Sequence, residues 1–143
     1  MNKTTLLLSA LMAAILSACG VNNRAQSEQN KIEGDWAVSQ LGEADRAALT
    51  SVGMTFTLNL EEKRFGGKGS CNSYGGEVLT YDAKTNSISF GDVIATRMYC
   101  PEIGFEQTLF ATLREAKRYE VKDGKCYLYS EKDTAPLLVL SRP

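Results

Sequence analysis

Two short cysteine-containing segments constrain the fold of this chain more than any other feature. The first is Gly69–Gly76, with the sequence GSCNSYGG, and the second is Ala95–Pro101, with the sequence ATRMYCP. The glycines and the asparagine around Cys71 tolerate tight turns, whereas Pro101 directly after Cys100 stops a strand and suits the start of a helix. Because each segment follows a stretch typical of a β-strand, we expect the two corners to meet and Cys71 to pair with Cys100.

The N-terminus has the order of features found in a secretory signal peptide. A cationic start, Met1–Lys3, precedes an apolar run, Leu6–Leu16, which is too short to cross a bilayer as a mature helix. Two small residues follow, and the sequence LSAC that ends at Cys19 resembles the bacterial lipobox. The resemblance implies cleavage before Cys19, a diacylglycerol thioether on this cysteine and acylation of its amino group. Ordinary secretion, with a chance cysteine at the cleavage site, is the alternative.

A lipid-anchored protein of the cell envelope follows from this interpretation. Two or more acyl chains hold a protein on a membrane stably, which a single chain does not. We therefore predict a signal peptide at 1–18, a polar flexible tether at 19–31 and a folded domain at 32–143. In a Gram-negative organism, Gly20 differs from the aspartate of the inner-membrane retention signal, which favours the outer membrane.

The charge of the chain argues against nucleic acid as a partner. The sequence has 16 basic and 17 acidic residues, and loss of Lys3 with the signal peptide leaves 15 basic residues and a net charge of −2. No basic stripe or cluster is present, and such a cluster is the usual electrostatic footprint of nucleic-acid binding.

Short alternating segments predict a mainly β domain of the α+β class. Apolar residues alternate with small or polar residues from Val52 to Leu60, which is the clearest strand pattern. From Glu102 the apolar spacing becomes helical, so we predict one helix at about 103–117. Several short strand patterns with turns between them predict a curled antiparallel sheet or open barrel of about eight strands, with this helix packed on it.

Local turn chemistry adds detail to this prediction. Glu61–Lys63 and the Asp-Gly sequence within Lys122–Lys125 are expected to form hairpin turns. The connection Gly42–Ser51 is expected to hold a short helical turn. The glycines at 66, 67 and 69 indicate a bulge or a close approach of two backbones.

The chain contains no histidine, which removes the usual means of nucleophilic and metal-dependent catalysis. Ser-His and Cys-His pairs and His-ligated zinc are excluded. Carboxylate or lysine catalysis stays open, but the acidic residues fall mostly in predicted turns or on the outer face of the helix. No constellation of residues supports an enzyme, and we predict no catalytic residues.

Three cysteines remain if Cys19 carries lipid: Cys71, Cys100 and Cys126. They give a weak zinc signal, because no pair is closely spaced. A redox-active dithiol usually has its cysteines close in sequence, whereas 28 residues separate Cys71 from Cys100. A structural disulfide is the preferred interpretation, worth roughly 3–4 kcal/mol for a loop of this size, and Cys126 is expected to be a buried free thiol. A bridge to Cys126, or no bridge, remains the alternative.

The motifs together resemble those of the META/HslJ domain family of small bacterial envelope proteins, over about residues 32–142. The matches are Gly34-Asp35-Trp36 for Gly-x-Trp, Gly69–Asn72 for Gly-Cys-Asn with one extra residue, Thr96–Pro101 for Thr-x-Met-x-Cys-Pro, and Glu106, Phe110 and Leu113 for the helix pattern, the last one residue early. The two cysteine corners in this order carry most of the specificity.

The resemblance implies a curled antiparallel sheet with one helix, no enzymatic activity and no cofactor. Family members are linked to heat shock, envelope stress and drug tolerance, and they offer no catalytic residues to transfer. Asn72, Thr96 and Arg97 are expected to form a polar network at the two corners, with a structural role.

The function predicted on this basis is that of a non-enzymatic, lipid-anchored envelope protein linked to heat or envelope stress or drug tolerance. Its partners would be the membrane, through Cys19, and an envelope or secreted protein. One alternative is a binding module that inhibits a secreted protease through Gly42–Ser51 or through the segment before Trp36. Another is a barrel that binds an apolar ligand in its interior.

Overall fold

The structure is a computed structural model that describes residues 31–143. The predictions on the signal peptide, on the lipid-bearing Cys19 and on the tether up to residue 30 lie outside the described residues. Within residues 31–143, no helix is long and apolar enough to cross a membrane.

Nine strands and two helices form in the described part of the chain. The strands are β1 (Gly34–Leu41), β2 (Thr55–Asn59), β3 (Arg64–Lys68), β4 (Ser73–Asp82), β5 (Ser87–Phe90), β6 (Ile94–Ala95), β7 (Arg118–Lys122), β8 (Lys125–Tyr129) and β9 (Leu138–Ser141), and the helices are α1 (Arg46–Val52) and α2 (Ile103–Glu115).

The strands form one antiparallel sheet that curls until it meets itself. Its order is β3-β2-β1-β9-β8-β7-β5-β4-β6, and β3 also pairs with β4. Eight strands therefore make a ring-like sheet, and β6 is attached to the start of β4. The pairing between neighbouring strands of the ring is shortest between β5 and β7, where a single residue pair, Ser87 with Arg118, is in register. The predicted curled antiparallel sheet with a helix packed on it is confirmed.

The interior of the ring is filled with apolar side chains. In β2, Phe56 and Leu58 are buried and their neighbours Thr55 and Thr57 are exposed, so the period-2 pattern places one face inward. Three phenylalanines from β2, β3 and β5 pack with ring centroids 5.0–6.1 Å apart. Helix α2 adds its own buried leucines, Leu109 and Leu113. Burial of each such side chain contributes about 1.5–3 kcal/mol.

The turn chemistry expected from the sequence is largely present. Asp123 and Gly124 both have positive φ, at 52° and 71°, which is the signature of a type I′ hairpin turn between β7 and β8. The close backbone approach expected in β3 is also present. A Cβ added to Gly66 would lie 2.9 Å from the carbonyl oxygen of Tyr74, and one added to Gly67 would overlap the carbonyl oxygen of Thr55.

Helix α2 and strand β4 have different bounds from those the sequence predicts. Helix α2 ends at Glu115, two residues early, because Ala116 is extended and the Lys117 N–H already bonds to the Tyr129 carbonyl of β8 at 2.8 Å. The sequence pattern predicts a strand at Glu77–Tyr81, whereas β4 begins four residues earlier, at Ser73, because its glycines pair directly with β3.

The connection between β1 and β2 forms a complete short helix where the sequence predicts only a helical turn. The Asp45 side chain accepts a hydrogen bond from the Ala48 N–H at 2.8 Å and so caps the N-terminus of α1. Gly53 adopts the left-handed conformation that ends the helix, and Leu49 is buried against the sheet.

Candidate functional site at the two cysteine corners

A disulfide joins the two cysteine corners. Cys71 and Cys100 are bonded, with their Cα atoms 5.8 Å apart. The bond links the β3–β4 connection to the residues just before α2, and the Ser70 hydroxyl supports it by donating to the Glu102 carbonyl at 2.6 Å. Cys126 is a free and buried thiol in β8, and burial raises its pKa to about 12. The structure thus brings together the pair of cysteines that the sequence favours.

The side chain of Asn72, next to the disulfide, makes the hydrogen bonds that the backbone of a neighbouring strand would make. Its Oδ1 accepts from the Met98 N–H at 2.7 Å, and its Nδ2 donates to the Met98 carbonyl at 3.0 Å. These two bonds continue the antiparallel pairing of β4 with β6, in which the Thr96 N–H donates to the Ser73 carbonyl. The Asn72 carboxamide therefore extends the ladder beyond the last paired residues of the two strands.

The two remaining bonding positions of Asn72 are also occupied. Oδ1 accepts from the Thr96 hydroxyl at 2.9 Å, and Nδ2 donates to Oε1 of Glu106 at 2.5 Å. An asparagine side chain offers two donors and two acceptor lone pairs, so Asn72 is saturated. It is almost fully buried, with 3% of its surface exposed.

Glu106, in the first turn of α2, is the buried carboxylate at the centre of this arrangement. Its Oε2 accepts from the backbone N–H groups of Cys71 and Asn72, each at 2.9 Å. Together with the bond from Asn72 Nδ2, three N–H donors surround it, and its position near the helix N-terminus is electrostatically favourable. We call the disulfide, Asn72, Glu106 and their bonds to Thr96 and Met98 the corner network.

The corner network agrees only in part with the polar cluster that the sequence predicts. Asn72 and Thr96 belong to it, whereas Arg97 is exposed and makes no hydrogen bond to it among residues 31–143. The sequence prediction also lacks Glu106, because it places the acidic residues at the solvated surface. A signal is nevertheless present: Glu106 has helical spacing with Leu109 and Leu113 and so lies on the buried stripe of α2.

The chemistry that these residues can perform is limited. No buried side-chain nitrogen or oxygen in the described part of the chain lacks a hydrogen-bond partner. Residues 31–143 also contain no group of three or more His, Cys, Asp or Glu residues that could hold a metal ion. The corner network therefore holds two loops and a helix together, and it presents no uncommitted acid, base or nucleophile.

Large apolar side chains are exposed directly beside the corner network. We call residues 94–99, with the sequence IATRMY, the edge segment. Within it Ile94 is 77% exposed, Met98 63% and Tyr99 85%. A groove of about 590 Å³ runs between the edge segment and α2, where Ile103 and Phe110 supply the opposite wall. No motif in the sequence distinguishes these residues as a surface.

The fold and the site define a small antiparallel β protein whose ring-like sheet carries one long helix fastened by a disulfide and a buried Asn–Glu pair. The chain belongs to the META domain family, whose profile matches residues 28–142. The family resemblance drawn from the sequence motifs is confirmed.

Two solved structures share this fold. The NMR structure of a protein from Burkholderia xenovorans has a TM-score of 0.61 and 21% identity, and the alignment covers 96% of this chain and 99% of that one. The crystal structure of a DUF4847 family protein from Bacteroides vulgatus has a TM-score of 0.51 and 15% identity, with 76% and 89% covered. At such identities the similarity concerns the fold alone. No curated protein matches the sequence.

Proposed function

We propose that this META domain protein is a non-enzymatic, lipid-anchored protein of the cell envelope that supports tolerance of heat, envelope damage or drugs by binding another protein. The observation that carries the proposal is the saturation of the corner network. Glu106 and Asn72, the buried polar residues of the family motifs, use their hydrogen bonds on each other and on the backbone. An active site would need groups left free for a substrate, so binding is the better-supported activity.

The anchor in this proposal is supported by the sequence that ends at Cys19. Between Cys19 and Lys31, where the described chain begins, a fully extended chain reaches at most about 40 Å. The folded domain would therefore act within a short distance of the membrane.

Lipidation is tested by metabolic labelling with an alkyne-bearing fatty acid, followed by detection on a gel. We expect label on the wild-type chain and on Cys126→Ala, and no label on Cys19→Ser. The Cys126 variant is the matched control, because it also removes one thiol. Equal labelling of the Cys19 variant, or an unlabelled wild type, would contradict the anchor.

The stress role is tested with a deletion strain of the source organism, challenged with heat, detergent and a panel of envelope-active antibiotics. We expect sensitivity that is restored by the wild-type gene and restored poorly by Cys19→Ser. A deletion strain that grows like its parent under every challenge would contradict the stress role.

Two observations within residues 31–143 weigh against the sites proposed for the alternative functions. Most of the stretch proposed as a protease-binding loop, Gly42–Ser51, folds into or caps helix α1, and Leu49 is buried against the sheet. The ring interior proposed for an apolar ligand is occupied by packed side chains, including Phe56, Phe65 and Phe90.

A further inference from the structure

We propose that the edge segment and helix α2 form a docking site for an extended segment of a partner protein, one that carries alternating apolar side chains and a carboxylate. The inference deepens the proposed function and rests on its statement that the protein binds another protein. It does not depend on the lipid anchor or on the stress role.

The first observation is an open strand edge. Strand β6 is the last strand in the sheet order and pairs with β4 along one edge only, through Tyr74 with Ala95 and Gly75 with Ile94. Its other edge has no strand partner among residues 31–143. Such an edge offers main-chain donors and acceptors to an incoming strand, and the groove beside α2 provides the space for one.

The second observation is that exposed apolar side chains are concentrated here. Of the five large hydrophobic side chains that are exposed in the described part of the chain, three lie on the edge segment: Ile94, Met98 and Tyr99. The other two, Leu79 and Tyr81, lie on β4, and Tyr81 is at the end of β4 remote from the edge segment. Ile94 also lines a second groove, of about 860 Å³, which it shares with Leu79. Scattered exposed apolar residues are ordinary, whereas a contiguous group of them marks an interaction surface.

The third observation concerns charge. Arg97 is the one charged residue of the edge segment, and it is exposed. The other charged group that lines the groove, Glu106, is buried and bonded to Asn72 and the backbone. A partner with a carboxylate would complement Arg97. In an antiparallel pairing with a second copy of this chain that sets Arg97 opposite itself, two Arg97 side chains would be brought together, which is unfavourable.

The position of the edge segment also favours a protein over a membrane. Lys31, where the described chain begins, lines a groove with Tyr81 near the end of β4. The edge segment pairs at the opposite end, with Tyr74 and Gly75. Tyr74 and Tyr81 are seven residues apart on β4, so they are separated by about 23 Å. The docking surface therefore lies at the other end of β4 from the point at which the tether joins the domain.

The test is a selection from a random-peptide phage library on the full chain, purified in mild detergent. The double variant Ile94→Asp, Arg97→Glu serves for counter-selection, and Lys84→Glu, a charge reversal in the exposed β4–β5 turn, is the control. We expect enriched peptides with alternating apolar residues and an Asp or Glu. Their affinity should fall at least about tenfold for Arg97→Glu and stay unchanged for Lys84→Glu. Replacing the acidic residue of the peptide by lysine should restore binding to Arg97→Glu.

NMR of the full chain with a selected peptide locates the contact, and we expect the largest amide shifts within residues 94–99 and 103–110. Four results would overturn the inference: no enrichment, equal binding to the double variant, self-association that Ile94→Asp abolishes, or broadening of the 94–99 amides by spin-labelled lipid in nanodiscs of phosphatidylethanolamine and phosphatidylglycerol. These results are independent of labelling at Cys19 and of the deletion strain. The docking site can therefore fail while the anchor and the stress role stand.

Discussion

Replacement of Glu106 by glutamine tests the corner network most sharply, because it changes one oxygen into an NH₂ group and preserves the shape of the side chain. The remaining oxygen of the introduced amide can still accept from the backbone N–H groups of Cys71 and Asn72. The new NH₂ group then faces the Nδ2 donor of Asn72, with which the wild-type Oε1 makes a 2.5 Å bond. Asn72 cannot flip to relieve this conflict, since its Oδ1 is held by the Met98 N–H and the Thr96 hydroxyl.

The expected magnitude follows from the bonds that are lost. A hydrogen bond to a charged group contributes about 1.5–3 kcal/mol, and a buried donor without a partner costs about 1–3 kcal/mol. These terms overlap, so we expect Glu106→Gln to lower the free energy of unfolding by about 2–3 kcal/mol. In a domain of this size about 1 kcal/mol corresponds to roughly 4 °C, so the Tm should fall by about 8–12 °C.

The assay is urea and thermal unfolding of the chain from residue 20, followed by circular dichroism with the disulfide intact. Glu102→Gln is the matched control, because Glu102 is an exposed glutamate four residues earlier that takes part in the site only through its carbonyl oxygen. We expect the control to change stability by no more than about 0.5 kcal/mol. Equal stabilities for the two variants would refute the assignment of Glu106 as a buried structural carboxylate.

Three further changes test other parts of the fold. Replacing Cys71 and Cys100 together by alanine should lower the free energy of unfolding in urea by about 2–4 kcal/mol. Non-reducing peptide mapping of the wild type should recover the peptides that contain Cys71 and Cys100 as one disulfide-linked pair. Gly67→Ala should lower the free energy of unfolding by at least about 2 kcal/mol in the same assay, because the added Cβ would overlap the Thr55 carbonyl. Gly104→Ala is the control: an added Cβ there meets open space in helix α2, so this change should be neutral or stabilise by about 0.5–1 kcal/mol. Burial raises the pKa of Cys126 from 9.0 to about 12, so its protonated thiol contributes stability that is complete below pH 9 and lost as the pH rises towards 12. Unfolding free energies measured across that range should fall, and less steeply in Cys126→Ala.

The parts of the fold that could be predicted from the sequence are those that local physics decides. The alternation through β2 is buried as expected, because a strand with one apolar face can pack only one way. The Asp-Gly turn forms as predicted, because few residues tolerate two successive positive φ angles. The strand that begins at Ser73 is predicted too late, since its glycines suggest a loop and only pairing with β3 makes them part of a strand.

The candidate site could be predicted from the sequence only in part. The two cysteine corners can be located because cysteine, glycine and proline limit the chain locally. The role of Glu106 depends on contacts with Cys71 and Asn72, more than 30 residues earlier, and no local pattern encodes which donors will meet a carboxylate. Exposure of Ile94 and Tyr99 likewise depends on which surfaces the assembled sheet and α2 leave uncovered, and the local sequence does not encode this.

The corner network also makes a prediction about binding, because it fixes the edge segment in the conformation that the proposed partner would need. A two-residue strand such as β6 has little stability of its own, and the Asn72–Met98 bonds and the disulfide hold the residues that follow it. A strand that is ordered before binding loses less conformational freedom on association. Glu106→Gln should therefore weaken binding of a selected peptide by about tenfold at a temperature well below its Tm, because the buried Glu106 carboxylate holds Asn72 and the backbone of the first corner in place.

Isothermal titration of the wild type, Glu106→Gln and Glu102→Gln measures this effect, with hydrogen exchange of the 94–99 amides as a second readout. We expect faster exchange and weaker binding together in Glu106→Gln alone. Faster exchange with unchanged affinity would contradict the prediction about binding. It would show that the corner network stabilises the fold without preparing the edge segment for a partner.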